Sequence, residues 1–221
     1  MDRTRIKICC IGSTEEAALA VGAGADAIGL VASMPSGPGA SADDAIARIA
    51  ARTPPPVARF LLTSRTDAAG IAEHVAGAGV DTLQAVHHLD PDVWRELASV
   101  LPGHVRRVQV LHVEDEGALA LADRYRPFVD AFLLDSGRPS LDVPELGGTG
   151  RVHDWGVSAR FVATAGRPTF LAGGLHAENV AEAIRTVRPF GVDISSGVRV
   201  DGRLDPDRLD AFVRAVRAGF G

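Results

Sequence analysis

Phe170–Val198, FLAGGLHAENVAEAIRTVRPFGVDISSGV, contains a complete strand–turn–helix–strand passage. Thr169–Ala172 and Val192–Ser195 are short apolar runs, and Ala177–Val187 between them returns Ile184 and Val187 to one helical face. Gly173-Gly174 permits a close turn after the first run, and Pro189-Phe-Gly breaks the helix before the second. Two short β-like runs joined by an amphipathic helix describe parallel strands with a crossover helix between them.

The same pattern extends outward to the rest of the chain. Further strands are expected at Ile6–Cys9, Ala27–Ala32, Val57–Leu62, Thr82–Val86, Val108–Leu111 and Ala131–Leu134. Helices are expected at Thr14–Val21, Ala42–Ala51, Ala68–Ala78, Pro91–Val100, Glu114–Tyr125, Trp155–Ala165 and Asp205–Ala218. Ser13 before Glu15/Glu16, Ser41 before Asp43/Asp44, and Asp90 before Pro91 read as helix starts. Eight β–α units in 221 residues average about 28 residues each, the composition of a (β/α)8 TIM barrel over a single domain, 1–221. A doubly wound open sheet is the competing arrangement, but it leaves eight units with no midpoint linker. Ser36–Ser41, SGPGAS, reads as a mobile loop after the second strand.

The chain is 46% hydrophobic and 23% charged with net charge −5, which excludes disordered and fibrous classes. No apolar run reaches the roughly 20 residues of a membrane helix. The opening MDRTRIKICC lacks a signal-peptide core, so a cytoplasmic protein without membrane partners is expected. A mildly acidic chain with scattered arginines is a poor nucleic-acid binder. Cys9 and Cys10 are adjacent, which suits neither a disulfide framework nor a zinc site, and no metal is expected. Lys7 is the one lysine among 23 basic residues, so a Schiff base on a side-chain amine has a single candidate.

Barrel chemistry sits at the C-terminal ends of the strands. That rule selects Cys9, Asp135, Gly173-Gly174 and Asp193–Gly197. Strand alternation puts Lys7 and Cys9 on one face, where an inward lysine needs an anion and its charge is expected to lower the thiol pKa. Cys9 also reads as a small buried hydrophobe, and Asp135 as either a general acid in a dry pocket or a loop cap. Gly173, Gly174, Ser195, Ser196 and Gly197 form two turns suited to holding phosphate through backbone N–H groups. Their competing reading is tight turns with no ligand. His87-His88 offers metal-capable nitrogens, but adjacent strand-end residues diverge, and His74, His104 and His176 have ordinary surface or cap explanations. Leu83, Phe132 and Phe170 read as packing.

KIC at Lys7–Cys9, GADAIGLV at Gly24–Val31, LLDS at Leu133–Ser136, GGTGRVHDW at Gly147–Trp155 and the opening Phe170–Val198 block resemble the phosphoribosylanthranilate isomerase family of tryptophan biosynthesis. The resemblance runs across nearly the whole chain. It implies an Amadori rearrangement needing no cofactor, with Asp135 as general acid, Cys9 as general base and a phosphorylated small-molecule substrate. Lys7, Arg65 and Asp193 are the other substrate-binding candidates, and the protein is expected to be a monomer or homodimer. Three departures stand out. Cys10 replaces the family's glycine, the loop Ala32–Ser41 lacks the family's arginine, and the QLHG pattern becomes Gln84-Ala85-Val86-His87. Arg65, just after the third strand, is the candidate replacement for the missing arginine. The alternatives are an isomerase acting on another aminosugar or sugar phosphate, and a noncatalytic phosphometabolite-binding protein.

Overall fold

The computed structural model describes residues 3–34, 39–113, 115–136 and 153–219. Among the described residues, eight parallel strands close on themselves in chain order, and eight helices alternate with them. The strands are β1 (Arg5–Ile8), β2 (Ala27–Val31), β3 (Ala58–Thr63), β4 (Thr82–Ala85), β5 (Arg106–His112), β6 (Ala131–Asp135), β7 (Thr169–Leu171) and β8 (Gly191–Ile194). The helices are α1 (Thr14–Ala23), α2 (Asp43–Arg52), α3 (Ala68–Ala78), α4 (Pro91–Val100), α5 (Ala118–Tyr125), α6 (Trp155–Thr164), α7 (Val180–Val187) and α8 (Pro206–Ala218). Closure pairs β1 with β8 in the register Lys7↔Asp193, so the seam brings together residues far apart in sequence. The expected (β/α)8 barrel is what forms, and the open sheet is excluded.

Each strand residue points either into the barrel or out toward the helices. One apolar cluster, including Phe60, Leu62, Val108, Val110, Leu133 and Phe170, fills the inside, with Phe170 edge-on to Phe60 at 5.8 Å. A larger one packs Ile28, Leu61, Leu83, Phe132 and Leu171 against helix residues such as Trp94, Phe161 and Phe212. Burial on both faces accounts for the unbroken apolar runs.

Side-chain caps set most helix starts. Ser13 accepts from Glu16 N, Asp67 from Gly70 N, Asp90 from Asp92 N and Asp205 from Arg208 N. Ser41 does not cap α2; the cap position is Ala42, without a side-chain bond. Helix α5 starts at Ala118 after an Asx turn in which Gly117 N donates to Asp115 Oδ1, and Glu114 lies outside the described residues. Helix α7 starts at Val180, three residues later than expected. Asn179 takes the His176 N–H on Oδ1 and donates from Nδ2 to Gly174 O, which winds Ala177–Asn179 into a separate turn. His74 is buried, not superficial, with Nε2 3.2 Å from Asp43 Oδ1. After β8 a one-turn 3₁₀ helix, Ser196–Val198, leads into an unforeseen hairpin, β9 (Arg199–Val200) and β10 (Arg203–Leu204). Its turn is Asp201-Gly202, with φ of 48° and 77°.

Candidate active site

The first strand places Lys7 inside the barrel, fully buried. Its Nζ lies 2.8 Å from Asp193 Oδ2 on β8 and 3.4 Å from Cys9 Sγ, and sits over the Phe60 ring at 5.2 Å. The inward lysine therefore has the anion that its burial requires. Burial pulls the ammonium's pKa down, but the Asp193 carboxylate and Cys9 outweigh it and hold Lys7 charged. Burial raises the Asp193 pKa while Lys7 opposes the rise. Asp193 Oδ1 is a buried acceptor with no hydrogen-bond partner among the described residues.

Room for this cluster comes from β2. A Cβ at Gly29 would lie 2.7 Å from Cys9 Sγ and 3.1 Å from Lys7 Nζ, so the glycine's missing side chain is filled by the two groups. That role was not read from GADAIGLV, because it depends on the β1–β2 register.

Cys9 and Cys10 are both buried, reduced thiols, adjacent in sequence and electrostatically coupled. The expected lowering of the Cys9 pKa by Lys7 does not prevail. The neighbouring Cys10 thiol and burial push Cys9 well above the usual thiol range, and Lys7 only moderates the rise. Cys10 is drawn down to about 7, chiefly by its side-chain interaction with Cys9, against the effect of burial. Cys10 also has φ 61°, in the left-handed region, which explains why a glycine suits this position.

Across the barrel, Asp135 ends β6 with Oδ1 accepting from Ser136 N at 2.7 Å. Burial lifts its carboxyl to about 6, and Asp193 adds to the rise while Lys7 opposes it. Asp135 thus belongs to the same electrostatic cluster as Lys7 and Asp193. The turns after β7 and β8 pack tightly beside it. Gly173 (φ 84°) and Gly174 (φ 64°) adopt backbone conformations that L side chains avoid, and a Cβ at Gly173 would press on Ser136. A Cβ at Gly197 would lie 2.3 Å from Leu175 O, so Ser195–Gly197 lies directly against the β7 loop.

Arg65 is not brought into this group. Its Nη1 donates to Gly70 O at 2.9 Å and its Nη2 lies 3.9 Å from Asp43 Oδ2, so the side chain serves the α2–α3 side of the molecule. Residues 35–38 of the second-strand loop and the Gly147–Gly150 stretch lie outside the described residues. Among the described residues no cluster of His, Cys, Asp and Glu is arranged to hold a metal ion, and no helix is long and apolar enough to cross a membrane.

The family model for N-(5'-phosphoribosyl)anthranilate (PRA) isomerase matches residues 6–215. The chain belongs to the phosphoribosylanthranilate isomerase family. An Acidithiobacillus ferrooxidans member is 39% identical over 224 residues, covering 98% of this chain and 99% of that protein. A Methanosarcina mazei member, N-(5'-phosphoribosyl)anthranilate isomerase 2, is 36% identical over 218 residues, covering 98% and 95%. Among solved structures, the family enzyme from Thermotoga maritima superposes with a TM-score of 0.83 at 30% identity, covering 97% of this chain and 99% of that one. A family enzyme in complex with reduced 1-(o-carboxyphenylamino)-1-deoxyribulose 5-phosphate superposes with a TM-score of 0.81 at 28% identity, covering 97% and 99%. The Lys7–Asp193–Cys9 cluster therefore lies inside a barrel of an isomerase family.

Proposed function

We propose that the protein is a cytoplasmic enzyme of tryptophan biosynthesis. In this reading it converts N-(5-phosphoribosyl)anthranilate into 1-(2-carboxyphenylamino)-1-deoxyribulose 5-phosphate. The observation that carries the reading is the pairing of a buried thiol after β1 with a proton-retaining carboxyl at the end of β6, around the Lys7–Asp193 bridge.

Asp135 donates its proton to the furanose ring oxygen as the C1–O bond breaks, and the anilino nitrogen's electron pair forms the C=N bond. Its pKa of about 6 keeps a useful protonated fraction near neutral pH. Cys9 as thiolate removes the C2 proton, and the electron pair neutralises the iminium to give an enolamine, which tautomerises to the ketone. Lys7 Nζ, 3.4 Å from Sγ, stabilises the thiolate as it forms. Asp193 Oδ1 offers an acceptor to a sugar hydroxyl. Gly173, Gly174, Ser195, Ser196 and Gly197 bind the phosphate through backbone N–H groups.

A second reading is favoured by Arg65, whose guanidinium is engaged by Gly70 and Asp43. Without it, recognition of the aryl carboxylate lacks its proposed partner, and the substrate becomes an aminosugar phosphate with a different aglycone. The deciding experiment offers purified protein phosphoribosylanthranilate beside a matched substrate lacking the carboxylate. Turnover of the carboxylated compound is expected, and Cys9→Ala and Asp135→Asn should each lower it by at least about 100-fold. Preference for the neutral analogue selects the second reading. Near-normal turnover by either soluble variant removes that residue from its role.

A further inference from the structure

The turn that carries Cys9 and Cys10 is gripped from outside the barrel. Arg199, on β9, donates from Nη2 to Cys10 O at 2.6 Å and to Cys9 O at 3.3 Å. The same guanidinium is held by Glu16 of α1, with Nη1 to Oε1 at 2.8 Å and Nη2 to Oε2 at 3.1 Å, and Nη1 also donates to Gly202 O at 2.9 Å. Glu16 in turn accepts from Gly12 N at 3.0 Å and Leu204 N at 2.9 Å. The two charged side chains are only 10% and 17% exposed, so the bonds are directional and little screened.

This grip coincides with the one strained residue beside the thiol. Cys10 sits at φ 61°, where a Cβ is disfavoured and glycine is at home. Two successive carbonyls meet one guanidinium only while residue 10 keeps that conformation. A lysine, with a single point of charge, cannot span both carbonyls and the carboxylate.

We propose that Arg199, anchored by Glu16, is a positioning residue that holds Cys10 in the left-handed conformation and thereby aims the Cys9 thiol. The proposal rests on Cys9 being the base of the isomerisation. It concerns side chains drawn together from α1 and the hairpin, neither of which supplies a reacting group.

The test is a cycle in which Arg199→Ala is made with Cys10 present and again with Cys10→Gly, each protein assayed at its own pH optimum. With Cys10 present, Arg199→Ala should lower kcat at least about 10-fold with KM little changed, the scale of a misaimed group. With glycine at position 10 the loss should shrink below about 3-fold, because glycine takes the left-handed conformation unaided. An equal fold-loss in both backgrounds overturns the proposal. If Arg199→Ala does not fold, Arg199→Lys keeps the Glu16 pair and loses the fork, and the same comparison applies. The rate at which a neutral alkylating reagent labels Cys9, read by mass spectrometry, provides the cycle without substrate. Arg199→Ala should change that rate by about 5-fold or more beside Cys10 and much less beside glycine. If labelling shows the rescue while the native protein leaves phosphoribosylanthranilate untouched, the function falls and the clamp stands. Turnover by the native protein without rescue in either measurement leaves the function and removes the clamp.

Discussion

Asp135, the proposed general acid, is ionised in the folded protein only at a cost in stability. Its folded pKa, about 6, lies above the roughly 3.9 of an unfolded aspartate, so folding favours the protonated carboxyl between those values. The sign follows directly. Below about pH 4 both states hold the proton and nothing is lost; the cost of ionising the buried acid builds up between about pH 4 and 6 and stays constant above that. Asp135→Asn keeps an acceptor for Ser136 N and discards the charge. The variant should be more stable than the native protein at pH 8 by about 2–3 kcal/mol, or about 4–12 °C in Tm, with the gap closing near pH 4. Its turnover should collapse over the same range. Thermal melts at the two pH values check this, and an equal Tm difference at both removes the account of a strained ionised acid. Gly29 makes the complementary point, since what it contributes is the space taken up by Cys9 and Lys7.

Elements differed sharply in how far the sequence revealed them. The barrel strands were legible because both faces are buried, which leaves runs such as AIGLV and AFLLD with little polar interruption. Helices with an aspartate or serine cap were legible for a local reason, and α7 was placed three residues early because Asn179's bonds to His176 and Gly174 bridge a turn. The β9–β10 hairpin was missed. Its strands are two residues each and carry arginines, too short to show alternation, although Asp201-Gly202 is a recognised hairpin turn. The Glu16–Arg199 pair spans 183 residues and has no local signature. The positions of Cys9 and Asp135 at strand ends and the inward face of Lys7 were legible in the sequence, whereas the influence of Cys10 on the Cys9 thiol needed the fold. The hairpin's turn carries its own prediction. Gly202 has φ 77° with open space around the missing Cβ, so Gly202→Ala strains only the backbone. It should cost about 1 kcal/mol, or about 2–4 °C in Tm. An unchanged Tm would show that the turn relaxes without strain.

For the whole molecule, the question is what closes the ring. The seam between β1 and β8 joins the two ends of the barrel's chain, and at its centre lies the fully buried Lys7 against Asp193. A buried ion pair is a weak source of net stability, because desolvating two charges offsets their attraction. Removing one partner is different, since it leaves the other charge buried and unpaired. Lys7→Met and Asp193→Leu should each destabilise the barrel by about 3–5 kcal/mol. At this chain length that corresponds to a fall of about 6–20 °C in Tm. The double variant replaces the pair with apolar volume in the same interior and should recover most of the loss, while remaining without isomerase activity. Thermal melts of the four proteins, with turnover measured alongside, decide the matter. If the double variant melts as low as the two losses added together, the ion pair closes the barrel. If it melts near the native protein yet does no chemistry, closure belongs to the ladder and the apolar shell, and the barrel keeps its only lysine for the site.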